Sequence, residues 1–350
     1  MTTLSQVAQR AGVTSATVSN VLRQRGKVGA DTRARVLAAV EELGYRPHLT
    51  ARALAEGRAP TLALMVSSIA NPFYPEFALA AEQAARQNGR FLIVCNTNDD
   101  QDIGRAYLEQ IAGTLSDGVL VMNANLRFDD LHMTEKRGAP VVLCMWEKPH
   151  EPPGLPCIAV DFHLAGAIAA RHLIELGHRR IGVIVGGGVS GVHAERQRGF
   201  VAELAALGYA GAAEATRHAP DSMEGGHAAA TALLKEHPGL SAIFATNDLP
   251  ALGALHAAAD LGWSVPDDLS VVGITDIQLA RQSRPALSTV AVPTVEAATM
   301  AVALLLEMIA QPSGPAPVRV ASAPWLVQRA SSGRPPPSKV LLTYRNLEKP

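Results

Sequence analysis

Gly186-Gly187-Gly188-Val189-Ser190-Gly191 satisfies the spacing G-x-G-x-x-G. Between a strand and a helix, that spacing lets a pyrophosphate approach the backbone and rest on the helix N-terminus. The chemistry served would be that of a pyridine-nucleotide enzyme. Such a site also needs an acidic residue about twenty positions on, at the end of the next strand, to hold the ribose. Glu214 lies near that distance, but in EATRHA, a segment with little strand character. Three consecutive glycines satisfy the pattern easily, so a tight strand-to-helix loop is the competing reading. Other catalytic signatures are missing: there is no P-loop, no H-E-x-x-H and no G-x-S-x-G. The eleven histidines are scattered, and His172, His178 and His256 read as surface or packing residues on or beside helices. Cys95, Cys144 and Cys157 form no metal or disulfide pattern, and Cys95 and Cys144 sit in apolar runs as buried thiols. No cofactor and no metal is expected.

A second set of side chains suits DNA. The outward positions of Ser15–Leu22 are Ser15, Ala16, Ser19 and Asn20, followed by Arg23. Hydroxyls and amides reach phosphates and base edges, and Arg23 and Arg25 add charge toward the backbone. Three helices would hold these groups. Thr3-Leu4-Ser5-Gln6 has capping-box spacing and opens a helix with Leu4, Val7, Ala8 and Ala11 on one face, ended by Gly12. Thr14 can cap the second, with Val18, Val21 and Leu22 inward. A third runs from about Asp31 to Leu43, with Val36, Leu37, Val40 and Leu43 inward, and stops at Gly44. Helix, short glycine-containing turn, helix is the helix-turn-helix plan, whose second helix enters the major groove. An ordinary three-helix bundle has the same spacing, but charge favours an anionic partner. Residues 1–60 carry nine Lys/Arg against four Asp/Glu, net +5, while the rest carries 22 against 28, net −6.

The next stretch, RPHLTARALAEGRAP from Arg46 to Pro60, contains one short helix former, Leu49–Glu56. Isolated helices of fewer than roughly a dozen residues are marginal in water. From Thr61 the pattern alternates. Leu62–Val66, Phe91–Cys95, Gly118–Met122, Val141–Met145, Ile181–Val185, Ala242–Ala245 and Leu269–Ile274 read as strands. Glu76–Gln87, His163–Leu176, Gly191–Leu207 and Leu249–Leu261 read as helices between them. Strands apolar throughout and separated by helices mean parallel α/β sheets, and so long a stretch is better divided into two lobes. Ligands then bind at the strand C-termini, between the lobes. A hydrophobic content of 48% against 18% charge excludes a disordered chain. MTTLSQVAQRAG lacks the pattern of a signal peptide, and Ala297–Ala310 is too short to span a bilayer. A soluble, cytoplasmic protein with no membrane partner is expected.

VAQRAGVTSATVSNVL and TRARVLAAVEELGYRPHLTARAL, then NPFY (71–74), LGHRRIGVIVG (177–186), ERQRGF (195–200), TNDLPALGAL (246–255), LSVVGITD (269–276) and PALSTV (285–290), follow one another in order. Together, over about residues 3–332, they resemble the lactose/galactose repressor (LacI/GalR) family of bacterial transcription regulators. The resemblance implies an N-terminal all-α helix-turn-helix head over 1–46, a hinge over 47–60, and a two-lobed α/β body over 61–332 like type I periplasmic binding proteins. Its lobes would be about 61–161 plus 292–320, and 162–291 plus 321–332, with a tail at 333–350. It implies a homodimer, a near-palindromic operator and a small-molecule effector between the lobes. The tail shows no sustained heptad repeat, which favours a dimer over a tetramer. A solute carrier has the same body without the head.

Carried over residue by residue, the resemblance assigns Thr14, Ser15, Ala16, Thr17, Ser19, Asn20 and Arg23 to DNA. Arg52 and Leu54 join them from the hinge, with Leu54 as a minor-groove wedge. To the effector it assigns the aromatics Phe73 and Tyr74, the forked donor Arg196 and the amide Asn247. Trp146 matches a tryptophan at the base pocket of the purine repressor. Two positions depart from sugar-binding members. GITD puts Thr275, not aspartate, in one, with Asp276 next, and Met145 fills the other. Asp221 aligns loosely with an aromatic position. Losing two carboxylates removes hydroxyl acceptors and makes an acidic or aromatic metabolite a competitor to a sugar or sugar derivative, unless Asp276 or Asp161 substitutes.

Overall fold

A computed structural model describes residues 2–22, 26–45, 61–122, 125–187, 191–311 and 316–336. Two compact units divide at Pro60/Thr61. The first contains α1 (Leu4–Ala11), α2 (Ser15–Leu22) and α3 (Ala30–Glu42). The capping box forms: Thr3 Oγ1 accepts from Gln6 N, and Gln6 Oε1 accepts from Thr3 N. Gly12 closes α1 in the left-handed region at φ 65°. Thr14 Oγ1 accepts from Thr17 N at 3.2 Å, capping α2. Val7, Val18 and Val36 are fully buried, with Ala8, Ala11, Val21 and Ala39 around them. Leu37, expected inward, is 49% exposed. One residue along a helix is a turn of about 100°, and the seam through Val36, Ala39, Val40 and Leu43 leaves it outside.

The second unit is two layered α/β lobes. One holds β1 (Thr61–Val66), β2 (Phe91–Asn96), β3 (Val119–Met122), β4 (Val141–Trp146), β5 (Cys157–Ala159) and β11 (Val318–Val320). With them lie α4 (Phe73–Gln87), α5 (Gln101–Ile111), α6 (Phe128–Lys136) and α12 (Thr294–Ala310). The strand order is β11-β5-β4-β3-β1-β2, parallel throughout. The other lobe holds β6 (Ile181–Gly186), β7 (Ala213–Ala219), β8 (Ala242–Ala245), β9 (Ser270–Thr275), β10 (Ser288–Ala291) and β12 (Trp325–Val327), in the order β12-β10-β9-β8-β6-β7. Only β12 runs antiparallel, against β10. Its helices are α7 (Phe162–Leu176), α8 (Val192–Ala206), α9 (Met223–Glu236), α10 (Asp248–Asp260) and α11 (Gln278–Gln282).

Strands β6, β8 and β9 are buried at every residue, as continuous apolar runs require. EATRHA, read as poor in strand character, lies within β7. It is an edge strand with no fully buried residue, so its polar composition carries no core signal. The chain crosses between the lobes three times: after β5, after β10, and between β11 and β12. Helices α7 and α8 approach closely, and a Cβ on Gly199 would lie 1.8 Å from the carbonyl oxygen of His163.

Candidate functional site

Parallel strands in each lobe end toward a common cleft of about 1030 Å³. The segment after β1 supplies Ser67, Ser68, Asn71 and Tyr74, and the ends of β2 and β3 add Asp99 and Asn125. The opposite wall brings Gly187, His193, Asp221 and Glu224, with Leu249 and Leu279 as its apolar part. Among the described residues no lysine or arginine lines the cleft, while three carboxylates do. Burial, and secondarily the charge of Asp221, raises the Asp99 pKa.

Asp221 ties this site together. Its carboxylate accepts from Asn247 Nδ2 at 2.8 and 2.9 Å, and from Asn71 Nδ2, on the other lobe, at 3.0 Å. A second inter-lobe bond runs from the backbone N–H of Gln278 to Glu76 Oε1 at 2.7 Å. Asn247 also caps α10, and its Oδ1 faces Thr275 Oγ1 at 3.1 Å. Behind it Asp248 is fully buried and faces the hydroxyls of Thr289 at 2.6 Å and Thr275 at 3.1 Å. Burial pushes the Asp248 carboxyl up to about 6 against those hydrogen bonds.

The expected effector residues separate into groups. Tyr74 and Asn247 are at or against the cleft wall. Phe73, one helical position from Tyr74, turns into the core and is 5% exposed. Arg196 lies under the cleft floor, donating from Nη1 to Thr246 O at 2.7 Å, with its guanidinium 4.6 Å from the Phe162 ring centroid. Its Nε has no partner among the described residues, and burial draws its pKa down to about 10. Trp146 lines a neighbouring depression of about 410 Å³ with Lys148, Glu151 and Arg198. Asp161 caps α7 by accepting from Leu164 N at 2.7 Å. Thr275 is buried beneath Asn247, and Asp276 is held by Arg281 and Arg329. Neither Asp161 nor Asp276 is among the residues that line the cleft. Asp99, which the sequence reading did not single out, and Asp221, which it aligned loosely with an aromatic position, bring carboxylates to the cleft.

His193, one residue into α8, escaped the sequence reading, as did Asn71 and Asp99. Its proximity to the glycine run was the available signal. Glu214 lies at the start of β7, at the opposite end from the glycine loop, and pairs with Arg180 at 2.6 Å. On the head, Thr14, Ala16 and Asn20 are exposed and Ser15, Thr17 and Ser19 half-buried along one side of α2. Arg23, Arg52 and Leu54, and the hinge as a whole, lie outside the described residues. No helix among those residues is long and apolar enough to cross a membrane.

A helix-turn-helix head on a two-lobed body with an inter-lobe cleft defines the class of DNA-binding regulators controlled by a small molecule. Residues 3–48 match the bacterial regulatory proteins of the lacI family, and residues 170–332 match the periplasmic binding protein-like domain. The chain is 36% identical over 310 residues to the HTH-type transcriptional repressor PurR of Proteus mirabilis, covering 88% of this chain and 91% of that protein. It is 34% identical over 332 residues to PurR of Pectobacterium carotovorum, covering 95% and 97%. Among solved structures, the lac repressor dimer bound to operator and the anti-inducer ONPF superposes with a TM-score of 0.84 at 25% identity, covering 95% and 99%. The CelR–cellobiose complex gives 0.69 at 29% identity, covering 95% and 100%. The chain belongs to the lacI family of bacterial regulatory proteins.

Proposed function

We propose that the protein is a homodimeric repressor whose helical head holds a near-palindromic operator and whose cleft binds a small polar metabolite that alters that hold. In this reading Thr14, Ser15, Ala16, Thr17, Ser19 and Asn20 meet a major-groove half-site. Arg23 contacts the backbone, Arg52 the backbone or groove, and Leu54 enters the minor groove. Two-fold symmetry of the protein requires matching symmetry in the DNA. The relatives support the class, since those named are repressors and one solved neighbour is a dimer on its operator.

One observation carries the effector reading: Asp221 accepts hydrogen bonds from both walls of the cleft, from Asn71 and Asn247. A ligand that displaces Asn71 from Asp221 changes an inter-lobe contact, and so has different affinity for different lobe arrangements. Operator and effector then change one another's affinity by the same factor. The acidic lining weighs against an acidic metabolite. Enzymatic use of the glycine loop finds no support in Glu214, which is engaged by Arg180 far from the loop.

The test is selection of the full-length protein against a randomised duplex library, followed by calorimetric titration with NAD and NADP. Enrichment of a near-palindrome with no micromolar nucleotide binding is expected. Micromolar nucleotide binding with no enriched duplex would overturn the repressor reading.

A further inference from the structure

The second helix of the head has two opposed faces. In α2 Val18 is fully buried and Val21 is 2% exposed. Ala16 and Asn20 each stand two residues from Val18, about 200° around the helix, and both are exposed. Four residues apart, they lie one above the other on the outer face, with Cβ atoms about 5–6 Å apart. The hydroxyls beside them are already engaged: Thr14 Oγ1 and Thr17 Oγ1 lie 2.9 Å apart, and Thr14 Oγ1 also accepts from Thr17 N. The Asn20 carboxamide has no hydrogen bond among the described residues.

The major-groove edges decide which bases these two side chains fit. The sequence of α2, SATVSNVL, has no charged residue. From this helix neither the forked arginine–guanine contact nor a carboxylate contact to cytosine N4 can be made. A carboxamide carries an acceptor and two donors side by side. Adenine presents the matching pair, N7 as acceptor and the N6 amino group as donor. Guanine presents two acceptors, N7 and O6, and leaves the amide oxygen facing one of them. Thymine O4 and cytosine N4 each satisfy only half of the amide. Ala16 offers a methyl group alone. Its counterpart is the C5-methyl of thymine, whereas a polar base edge against it would lose water without gaining a bond. A spacing of about 5–6 Å spans between one and two base steps of about 3.4 Å.

We propose that α2 reads an A·T element in each operator half-site: the Asn20 carboxamide bonds one adenine bidentately, and the Ala16 methyl packs on the methyl of a thymine one or two base pairs away. This deepens the operator reading above and rests on it. Asn20 is the specificity-determining residue, conferring a preference for adenine of at least ~10-fold. The methyl contact of Ala16 adds about threefold. Neither contact neutralises a phosphate, so neither contributes to the salt dependence of binding.

Base analogues test the two contacts atom by atom. The full-length protein first selects a duplex from a randomised library, and every base pair of the selected half-site is then substituted in turn. Asn20→Ala is expected to equalise the bases at one position, where wild type favours adenine by at least ~10-fold. At that position 7-deazaadenine, which lacks N7, should weaken wild type by ~3-fold or more and leave Asn20→Ala unaffected. Within two base pairs of it, deoxyuridine in place of thymine should weaken wild type by ~3-fold, and Ala16→Gly should abolish that difference. The slope of affinity against salt should be the same for Asn20→Ala as for wild type. Thermal unfolding midpoints establish that both variants are folded. A G·C pair at the position that Asn20→Ala equalises, an equal loss at every position, a shallower salt slope, or a 7-deazaadenine effect that persists in the variant overturns the Asn20 assignment. Indifference to every thymine methyl overturns that of Ala16. Enrichment of no duplex removes the repressor reading and this proposal with it, whereas an enriched duplex with the wrong base pair at that position removes only the proposal.

Discussion

His178 shows how one buried side chain makes stability depend on pH. Its Nε2 faces the Gly333 carbonyl at 2.9 Å, which only accepts, so Nε2 holds the proton and Nδ1 faces the Ser241 hydroxyl at 2.9 Å. Burial draws its pKa down to about 4. The unfolded chain then binds a proton near pH 6.5 that the folded chain refuses until about 4, so its contribution is present above 6.5 and is lost as pH falls toward 4. Asp248, raised to about 6, acts in the opposite direction between its ordinary value and 6. Only a difference between variants isolates the histidine. The stability advantage of wild type over His178→Gln should shrink by up to ~3 kcal/mol between pH 7 and 4.5, measured by urea unfolding. An advantage that stays constant over that range would remove His178 from the account. His178 was read from sequence as a surface or packing residue, and it is a packing residue. His193 was passed over because its neighbours Thr246 and Asp221 lie far along the chain. Such a convergence leaves no local spacing to find.

At the scale of elements, legibility followed burial. Continuous apolar runs marked β1, β6, β8 and β9 to within a residue, because a strand covered on both faces has no polar alternative. β5, β7, β11 and β12 were missed: three are only three residues long, and β7 is a polar edge. β10, four residues and fully buried, was seen only as part of PALSTV. Helix packing left a different trace. Gly199 and Gly166 sit where α7 and α8 touch backbone to backbone, and a Cβ on Gly166 would lie 1.9 Å from Arg196 O. Gly199→Ala should force these helices apart and destabilise the body by ~1–3 kcal/mol or more. Because α8 carries His193 to the cleft wall, the same change should weaken binding in the cleft. A lower urea midpoint is the expected readout, and an unchanged one would mean that the helices separate at no cost.

For the whole molecule, the side chains of Asp221 and Glu76 each bond the two lobes across the cleft in the arrangement seen. Glu76 and the Gln278 N–H join α4 to the start of α11, through residues other than those of the Asp221 contact. Glu76→Ala should cost the closed arrangement ~0.5–1.5 kcal/mol, a two- to tenfold change in population. Small-angle scattering should show a larger radius of gyration, and no change would place the control of closure elsewhere. The three crossings have a consequence for synthesis. The first lobe begins at β1 but is completed by α12, which packs on α4, and by β11. A ribosome that has made β5 has therefore made a sheet whose covering helix is still more than a hundred residues from being translated. The second lobe, from α7 to β10, is almost continuous and lacks only β12. The lobe encoded later is thus the one able to fold first, while the earlier one waits on the exit tunnel with apolar surface uncovered, a natural client for a chaperone.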